Sequence, residues 1–223
     1  MTLIRTALLT SALATALCGA AAAQPAATGM RDDTDMVRLR MPALPDPVAV
    51  TLKPATTALL IFDVVDPICK DQPRCMGFMV PAITALLERA RKVGMVVGYS
   101  TRAPTMSSWL PQVAPAADDM KIVSVAQDRF FKTDLENALK AKGITTLILT
   151  GWKVSGSVTY TSVGASLRDF TNVIPVDASL AATDYETTIG LYNILNQLNS
   201  NLKNEPLKLK ASTLSRTDLI KFE

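Results

Sequence analysis

The sequence predicts an α/β fold, a three-layer α/β/α sandwich on a mainly parallel, Rossmann-like sheet of about six strands. Continuous apolar runs such as Ala58–Phe62 carry this prediction, because strands buried on both faces lose the polar alternation of half-exposed strands. Helical patterns separate the runs, and glycines or capping signals mark their ends. Repeated strand–helix–strand units have right-handed crossovers, so helices are expected on both faces of the sheet.

Length and charge favour a single domain that binds a small molecule. About 200 residues remain once an N-terminal leader is removed, which is enough for one core. The net charge of +3 arises from 23 basic and 20 acidic side chains without a basic stripe, so neither nucleic acid nor an anionic membrane surface is implied as a partner. The chain has no histidine, which excludes a Ser/His/Asp triad and any metal site that depends on imidazole. No cofactor or metal is expected.

The N-terminal residues 1–23 are predicted to be a secretory signal peptide. Arg5 precedes an apolar run, and small residues lead to an expected cleavage site after Ala23. The run is shorter than the roughly 20 residues of a membrane span, which disfavours an uncleaved anchor. Cys18 leaves lipidation as an alternative, although the preceding Leu17 is bulky for a lipoprotein signal. The protein is therefore expected to be exported, either to the periplasm or to the medium.

Cys69 and Cys75 are the cysteines that remain after removal of the leader. In an oxidising compartment, two neighbouring cysteines favour a disulfide over reactive thiols. Two ordinary buried thiols are the alternative. A metal site is disfavoured because no further cysteine or histidine can complete it.

The domain is predicted to begin after an extended segment. Residues 24–56 are rich in proline and alanine and are interpreted as a lead-in. One domain is expected over residues 57–212, followed by a C-terminal tail over residues 213–223. Its first strand is the run Ala58–Phe62, and Asp63 stands at the carboxyl end of that strand.

The first helix is predicted to begin near Pro81 and to end at Gly94. Between them, apolar residues recur at helical spacing, at Ile83, Leu86, Leu87 and Ala90. The second strand is predicted over Met95–Ser100. The long loop over residues 101–119 contains several prolines and Trp109, and segments of this kind often cover a pocket.

The middle of the chain continues the alternation. A short strand is predicted over Lys121–Ser124, and Thr133–Glu136 has the pattern of a capping box that begins a helix. That helix is expected to stop at Gly143. Ile144–Thr150 is the next buried strand, closed by Gly151.

The last third supplies two more helices and two more strands. A helix is predicted from about residue 156 to residue 168, and a strand over Asn172–Val176 that ends at Asp177. A second capping box, Thr183–Glu186, is expected to open the final helix. Leu207–Lys210 is predicted to be an edge strand.

Polar residues follow the predicted strands where a ligand site is expected. In parallel α/β sheets, ligands bind beyond the carboxyl ends of the strands. The residues found there are Asp63, Ser124, the segment from Gly151 to Ser157, and Asp177. The sequence therefore predicts a site formed by these residues.

Three segments of the chain resemble a known family in their order and spacing. They read ALLIFDVVDPIC, FFKTDLENALKAKGITTLILTG and GWKVSGSVTYTSVGASLRDFTNVIPVDAS. Together they resemble the isochorismatase-like cysteine hydrolases, which include nicotinamidases and related amidases. The resemblance extends from Thr57 to about Leu198. It implies a small-molecule substrate and, as members of the family commonly assemble, a homo-oligomer.

The resemblance implies a catalytic site with two substitutions. The family uses an Asp/Lys/Cys triad, in which the aspartate deprotonates the thiol and the lysine stabilises the anions. The aspartate corresponds to Asp63, the lysine position falls on Ser124, and the cysteine position falls on Ser157. The resemblance also implies that the backbone amides of Lys153 and Ser157 receive the oxyanion.

The neighbouring residues are expected to line the pocket. Gly151, Trp152 and Lys153 precede the nucleophile position, Trp109 is a further pocket candidate, and the resemblance implies that the Trp152–Lys153 peptide bond is cis. The histidines that bind metal in nicotinamidases have no counterpart here, which argues against nicotinamide as the substrate.

Each candidate also has a structural interpretation. Asp63 can instead cap a loop or pair with Arg74, and Ser157 can be a helix cap. Lys153, and less directly Lys121 and Lys132, are candidates to replace the missing lysine, or else solvated surface charges. Asp177 is expected to accept amides of the turn that follows it.

The residues leave three functions open. The first is a divergent hydrolase of a small amide, ester or vinyl ether that uses Ser157 with Asp63. The second is a non-catalytic binding or scaffold protein that keeps the pocket. The third makes Cys69 or Cys75 a displaced nucleophile.

Overall fold

The computed structural model describes residues 43–223. The predicted signal peptide, Cys18 and the first part of the lead-in lie outside the described residues. In chain order, the strands are β1 Val50–Leu52, β2 Thr57–Phe62, β3 Val96–Thr101, β4 Met120–Val123, β5 Thr146–Gly151, β6 Thr171–Pro175, β7 Ser212–Ser215 and β8 Ile220–Phe222. The helices are α1 Asp66–Cys69, α2 Val80–Lys92, α3 Leu135–Ala141, α4 Thr159–Ser166 and α5 Asp184–Leu195.

A six-stranded parallel sheet forms the centre of the fold, in the order β4-β3-β2-β5-β6-β7. Strand β2 alternates between two cores: Leu59 and Ile61 join the cluster that contains α2. Leu60 and Phe62 join the cluster that contains residues of α3, α4 and α5. The predicted α/β/α fold with a mainly parallel sheet is confirmed.

The prediction for the last strand of the sheet was wrong. The edge strand is β7, not the predicted Leu207–Lys210, because the buried side chains of β7 are mostly hydroxyls rather than the apolar residues that mark a strand. Thr213 Oγ1 donates to the carbonyl of Glu205, and Ser215 Oγ donates to that of Val48. These partners allow a polar sequence to form a buried strand.

The two predicted capping boxes have different outcomes. The Thr183 hydroxyl accepts a hydrogen bond from the Glu186 amide at 3.1 Å and caps α5, as expected. Thr133 does not reach the amide of Glu136, because its hydroxyl donates to the Arg129 carbonyl and accepts from the Leu135 amide instead.

The C-terminal residues are tied to the rest of the chain. Strand β8 pairs in parallel with β1, which lies at the end of the predicted lead-in. Asp177 accepts hydrogen bonds from the amide and hydroxyl of Thr217, at 2.9 and 2.6 Å. It therefore anchors the C-terminal segment rather than the turn that follows it.

Candidate functional site

The candidate site lies at the carboxyl ends of β2 and β5, which are neighbours in the sheet. Asp63 follows β2 with a positive φ of 56°, and its amide donates to the carbonyl of Ser100 at the end of β3. Ser157 follows β5 in a helical turn over residues 154–158 that precedes α4. The sheet thus brings together two segments that are far apart in sequence.

Asp63 and Ser157 line one cavity of about 290 Å³. Trp152 and Lys153 also line it, as expected, whereas Gly151 and Trp109 do not. Trp109 packs edge-on against Tyr99, with ring centroids 5.0 Å apart. The full lining consists of Asp63, Ile68, Arg102, Val125, Ala126, Gln127, Arg129, Trp152, Lys153, Gly156 and Ser157.

The predicted acid and hydroxyl are in direct contact. Ser157 Oγ donates a hydrogen bond of 2.7 Å to Asp63 Oδ2. Asp63 is 3% exposed and Ser157 is 7% exposed, so solvent does not compete strongly for this contact. The alternative pairing of Asp63 with Arg74 does not form, because Arg74 pairs with Asp184.

A buried arginine that the sequence analysis missed completes the cluster. Arg129, 1% exposed, forms an ion pair with Asp63 Oδ2, and its Nη2 donates to Ser157 Oγ at 2.7 Å. Its Nη1 donates to the carbonyls of Ser124 and Ala126, at 2.6 and 3.0 Å. Ser124, the expected lysine position, therefore contributes its backbone oxygen, and the cation comes from five positions further along the chain.

Burial sets the electrostatics of this cluster. Desolvation raises the pKa of the Asp63 carboxyl, against the opposing effects of the Arg129 charge and the Ser157 hydrogen bond. Desolvation likewise lowers the pKa of Arg129, while the Asp63 charge opposes it. A guanidinium keeps its proton even so, and Arg129 therefore remains a cation beside Asp63.

Lys153 lines the cavity, but its charge is neutralised by a residue outside the cavity lining. Its ammonium forms an ion pair with Glu186, which also accepts a 2.7 Å hydrogen bond from Ser155 Oγ. The hydrogen bonds from Lys153 and Ser155 lower the pKa of the Glu186 carboxyl. The other two lysine candidates, Lys121 and Lys132, line a separate depression between β4 and α3.

The segment after β5 is held by backbone contacts. The Trp152–Lys153 peptide bond is cis, as the resemblance implies. The amides of Trp152 and Val154 donate to the carbonyls of Phe62 and Leu180. The amide of Lys153 donates to no acceptor within the described part of the chain.

Cys69 and Cys75 form a disulfide, and both are buried. The bond removes both thiols from consideration as nucleophiles, since a disulfide sulfur has no thiolate to offer. The neighbouring Ile68 contributes to the cavity wall. Among residues 43–223, no group of three or more cysteine, aspartate or glutamate side chains is arranged to hold a metal ion, and no helix is long and apolar enough to cross a membrane.

Comparisons with known proteins identify relatives. The isochorismatase domain matches residues 57–200 of the chain. A probable inactive nicotinamidase of Arabidopsis thaliana is 34% identical over 91 residues, which are 40% of this chain and 45% of that protein. The match therefore spans less than half of the relative's length.

Solved structures share the fold. An isochorismatase family protein from Burkholderia thailandensis has a TM-score of 0.64 and 20% identity, covering 77% of this chain and 96% of that one. N-carbamoylsarcosine amidase from Thermoplasma acidophilum has a TM-score of 0.60 and 21% identity, covering 73% and 97%. An isochorismatase family protein from Desulfovibrio vulgaris has a TM-score of 0.57 and 24% identity, covering 62% and 89%.

Proposed function

Because the chain belongs to the isochorismatase family, we propose that it is a divergent hydrolase of a small amide, ester or vinyl ether, with Ser157 as nucleophile. The observation that carries the proposal is the position of the Ser157 hydroxyl. It lies 2.7 Å from Asp63 Oδ2 and 2.7 Å from Arg129 Nη2, on the wall of the cavity. The three side chains supply a base, a cation and a nucleophile, the roles that the family gives to aspartate, lysine and cysteine.

On an amide or ester, the first half of the reaction forms an acyl-enzyme. Ser157 Oγ attacks the carbonyl carbon, its proton passes to Asp63 Oδ2, and the carbonyl electron pair moves onto oxygen. Collapse of this intermediate breaks the bond to the leaving group, which receives the proton from Asp63. The amides of Lys153 and Ser157 are the proposed donors to the oxyanion.

The second half releases the acid. Asp63 takes a proton from a water molecule, whose oxygen attacks the acyl carbon. Collapse then breaks the bond to Ser157 Oγ, which recovers the proton. Asp63 is the base in both halves because Arg129 has no lone pair to accept a proton, and its charge instead stabilises negative charge on Oγ.

A phosphonate that reacts with activated serines tests the nucleophile. We expect a fluorophosphonate probe to label the peptide that contains Ser157, as read by mass spectrometry. Ser157→Ala should abolish labelling, and Asp63→Asn should slow it about 100-fold or more. Lys140→Gln, which removes an exposed ion pair with Glu136, is the control and should leave the rate unchanged.

The same variants are then assayed on a panel of amides and esters. Hydrolysis that survives both Ser157→Ala and Asp63→Asn would eliminate the proposed mechanism. Ser157→Cys provides a further check, because a thiol ionises far more readily than a hydroxyl beside the same base and cation. We expect this variant to hydrolyse activated esters faster than the natural protein.

A non-catalytic binding protein is the second candidate. An N–H of Arg129 donates onto Ser157 Oγ, and the Asp63 oxygen that would take the proton also accepts from Arg129. Both contacts reduce the availability of the nucleophile and the base. This candidate predicts that small ligands bind the cavity while neither phosphonate labelling nor turnover occurs.

We further propose that the protein is exported, with cleavage after Ala23. The Cys69–Cys75 disulfide supports this proposal, because such bonds persist in oxidising compartments. Intact mass of the mature protein should correspond to a chain beginning at Gln24, with no free thiol in it. A cytoplasmic chain that retains residues 1–23 would contradict the proposal. The homo-oligomer implied by the family stays a prediction.

A further inference from the structure

The charges around the cavity do not balance. Four charged side chains line it: Asp63, Arg102, Arg129 and Lys153. Arg129 is neutralised by Asp63, and Lys153 is neutralised by Glu186, which lies outside the lining. Arg102 has no ion-pair or hydrogen-bond partner among residues 43–223, and its positive charge is left over.

Arg102 is placed to meet a ligand rather than another part of the protein. It directly follows β3, the neighbour of β2, and its side chain is exposed at the cavity. Its charge is felt at the floor of the cavity, where it lowers the pKa of Asp63 and of Arg129. A cation here therefore acts on the same space in which the substrate must lie.

We propose that the substrate is an anion whose carboxylate pairs with Arg102 while its acyl carbon faces Ser157. A guanidinium donates two parallel hydrogen bonds to a carboxylate, which fixes orientation as well as charge. The remaining wall is mostly apolar, with the side chains of Ile68, Val125 and Trp152, and Gln127 adds one amide. The substrate class is thus a small monoamide or monoester of a dicarboxylic acid with an apolar linker, and this assignment rests on the proposed hydrolase function.

A matched pair of chromogenic esters tests the assignment. The two probes are the 4-nitrophenyl monoester of glutaric acid and the mixed 4-nitrophenyl methyl diester, which differ in one negative charge. We expect a higher kcat/KM on the charged probe. Arg102→Gln should raise KM on the charged probe about tenfold, so that the charged-to-neutral ratio of kcat/KM falls by about the same factor. Arg102→Lys should restore part of the preference.

Controls separate this pairing from a general field effect. Arg216→Gln removes an exposed arginine that lies near the C-terminus and pairs with Asp218. It should leave kcat/KM unchanged on both probes. The preference for the charged probe should also fall as salt is raised, since an exposed cation is screened. An equal charged-to-neutral ratio in the natural protein and in Arg102→Gln would overturn the proposal.

Binding measurements test the anion site separately from hydrolysis. Calorimetry with Ser157→Ala measures the affinity for glutarate and for its dimethyl ester without any turnover. If neither ester is hydrolysed but glutarate binding weakens in Ser157→Ala/Arg102→Gln, hydrolysis fails and the anion site stands. If esters are hydrolysed without a charge preference and glutarate does not bind, the anion site fails and hydrolysis stands.

Discussion

A buried guanidinium that pairs with one carboxylate cannot be removed without leaving an unpaired anion. We expect Arg129→Met to lower the free energy of unfolding by about 3–5 kcal/mol at neutral pH, because Asp63 would then be buried without a counter-charge. Urea unfolding measures the loss. Arg216→Met is the control, since its exposed pair with Asp218 should contribute less than about 1 kcal/mol. Equal losses in the two variants would contradict the importance of the buried pair.

The loss of unfolding free energy in Arg129→Met should depend on pH. Burial already raises the pKa of Asp63, and removing Arg129 takes away the largest influence that lowers it. A carboxyl whose pKa is raised in the folded state stabilises the fold less as pH rises through that pKa. The loss in Arg129→Met should therefore be smaller near pH 4 than near pH 7.5, because a protonated Asp63 needs no cation. A loss that is constant over this range would argue against Asp63 as the partner.

The pH dependence of phosphonate labelling provides a second test of Asp63. Asp63 must be ionised to accept the Ser157 proton, so phosphonate labelling should rise with pH. The midpoint should lie above the ordinary aspartate value of about 3.9, since desolvation of the carboxyl outweighs its attraction to Arg129. Labelling rates measured across pH give the midpoint directly. A midpoint at or below the ordinary value would show that the ion pair dominates instead.

The site residues differ in how far the sequence predicted them. Asp63 was predictable because it ends a continuous apolar strand, and Ser157 because the resemblance to the family places the nucleophile position there. Arg129 was not, because QDRFF has the composition of an exposed connection. Its side chain becomes buried only because the chain after β4 turns back, with the Ser124 and Ala126 carbonyls accepting from its guanidinium.

At the level of elements, the end of β5 depends on a glycine. Gly151 has a φ of +118°, and a Cβ there would lie 2.1 Å from the Phe62 carbonyl oxygen of the paired strand. We expect Gly151→Ala to lower the free energy of unfolding by about 3 kcal/mol, because both the backbone conformation and the close approach oppose it. Labelling of Ser157 should slow as well, since Trp152 and Lys153 follow directly.

Gly77→Ala is the matched control for that substitution. Gly77 lies in the helical turn over residues 75–79, and a Cβ there meets nothing within 4 Å. The substitution should be neutral or stabilise the fold by roughly 0.5–1 kcal/mol, because alanine restricts the unfolded chain. Similar losses in the two glycine variants, measured by urea unfolding, would contradict the steric argument.

Strands were predictable where burial is apolar and were missed where it is polar. A strand such as β2 is recognisable from sequence, because all of its residues are buried and nearly all of them are apolar. In β7, the buried residues include Ser212, Thr213 and Ser215, whose pattern resembles that of a loop. Hydrogen bonds with residues outside the strand stabilise it, and the local sequence pattern does not reveal these partners.

At the scale of the whole molecule, the strand order explains where the site lies. The chain adds β3 and β4 on one side of β2 and then returns to place β5 on the other side. The connections after β2 and β5 therefore leave toward opposite directions, which opens a crevice at the carboxyl ends of these two strands. Asp63 and Ser157 stand on its two sides.

The C-terminal segment completes the fold rather than trailing from it. Ile220 is fully buried, and Arg89 on α2 donates to the carbonyls of Thr217 and Ile220. Deleting residues 216–223 removes these contacts and leaves Asp177 without its Thr217 partners. Burial of Ile220 alone contributes roughly 1.5–3 kcal/mol, so we expect a total loss of about 3 kcal/mol or more.

For a domain of this size, such a loss corresponds to a Tm lower by about 6–12 °C, measured by calorimetry on the mature protein. Arg216→Ala is the control for side-chain loss at the start of the deleted segment, and it should shift the Tm by less than about 2 °C because its ion pair is exposed. A truncated chain with the same Tm as the full-length protein would show that β8 and its pairing with β1 are dispensable. Retained phosphonate labelling in a destabilised truncated chain is also expected, because the segment stabilises the sheet from outside the cavity lining.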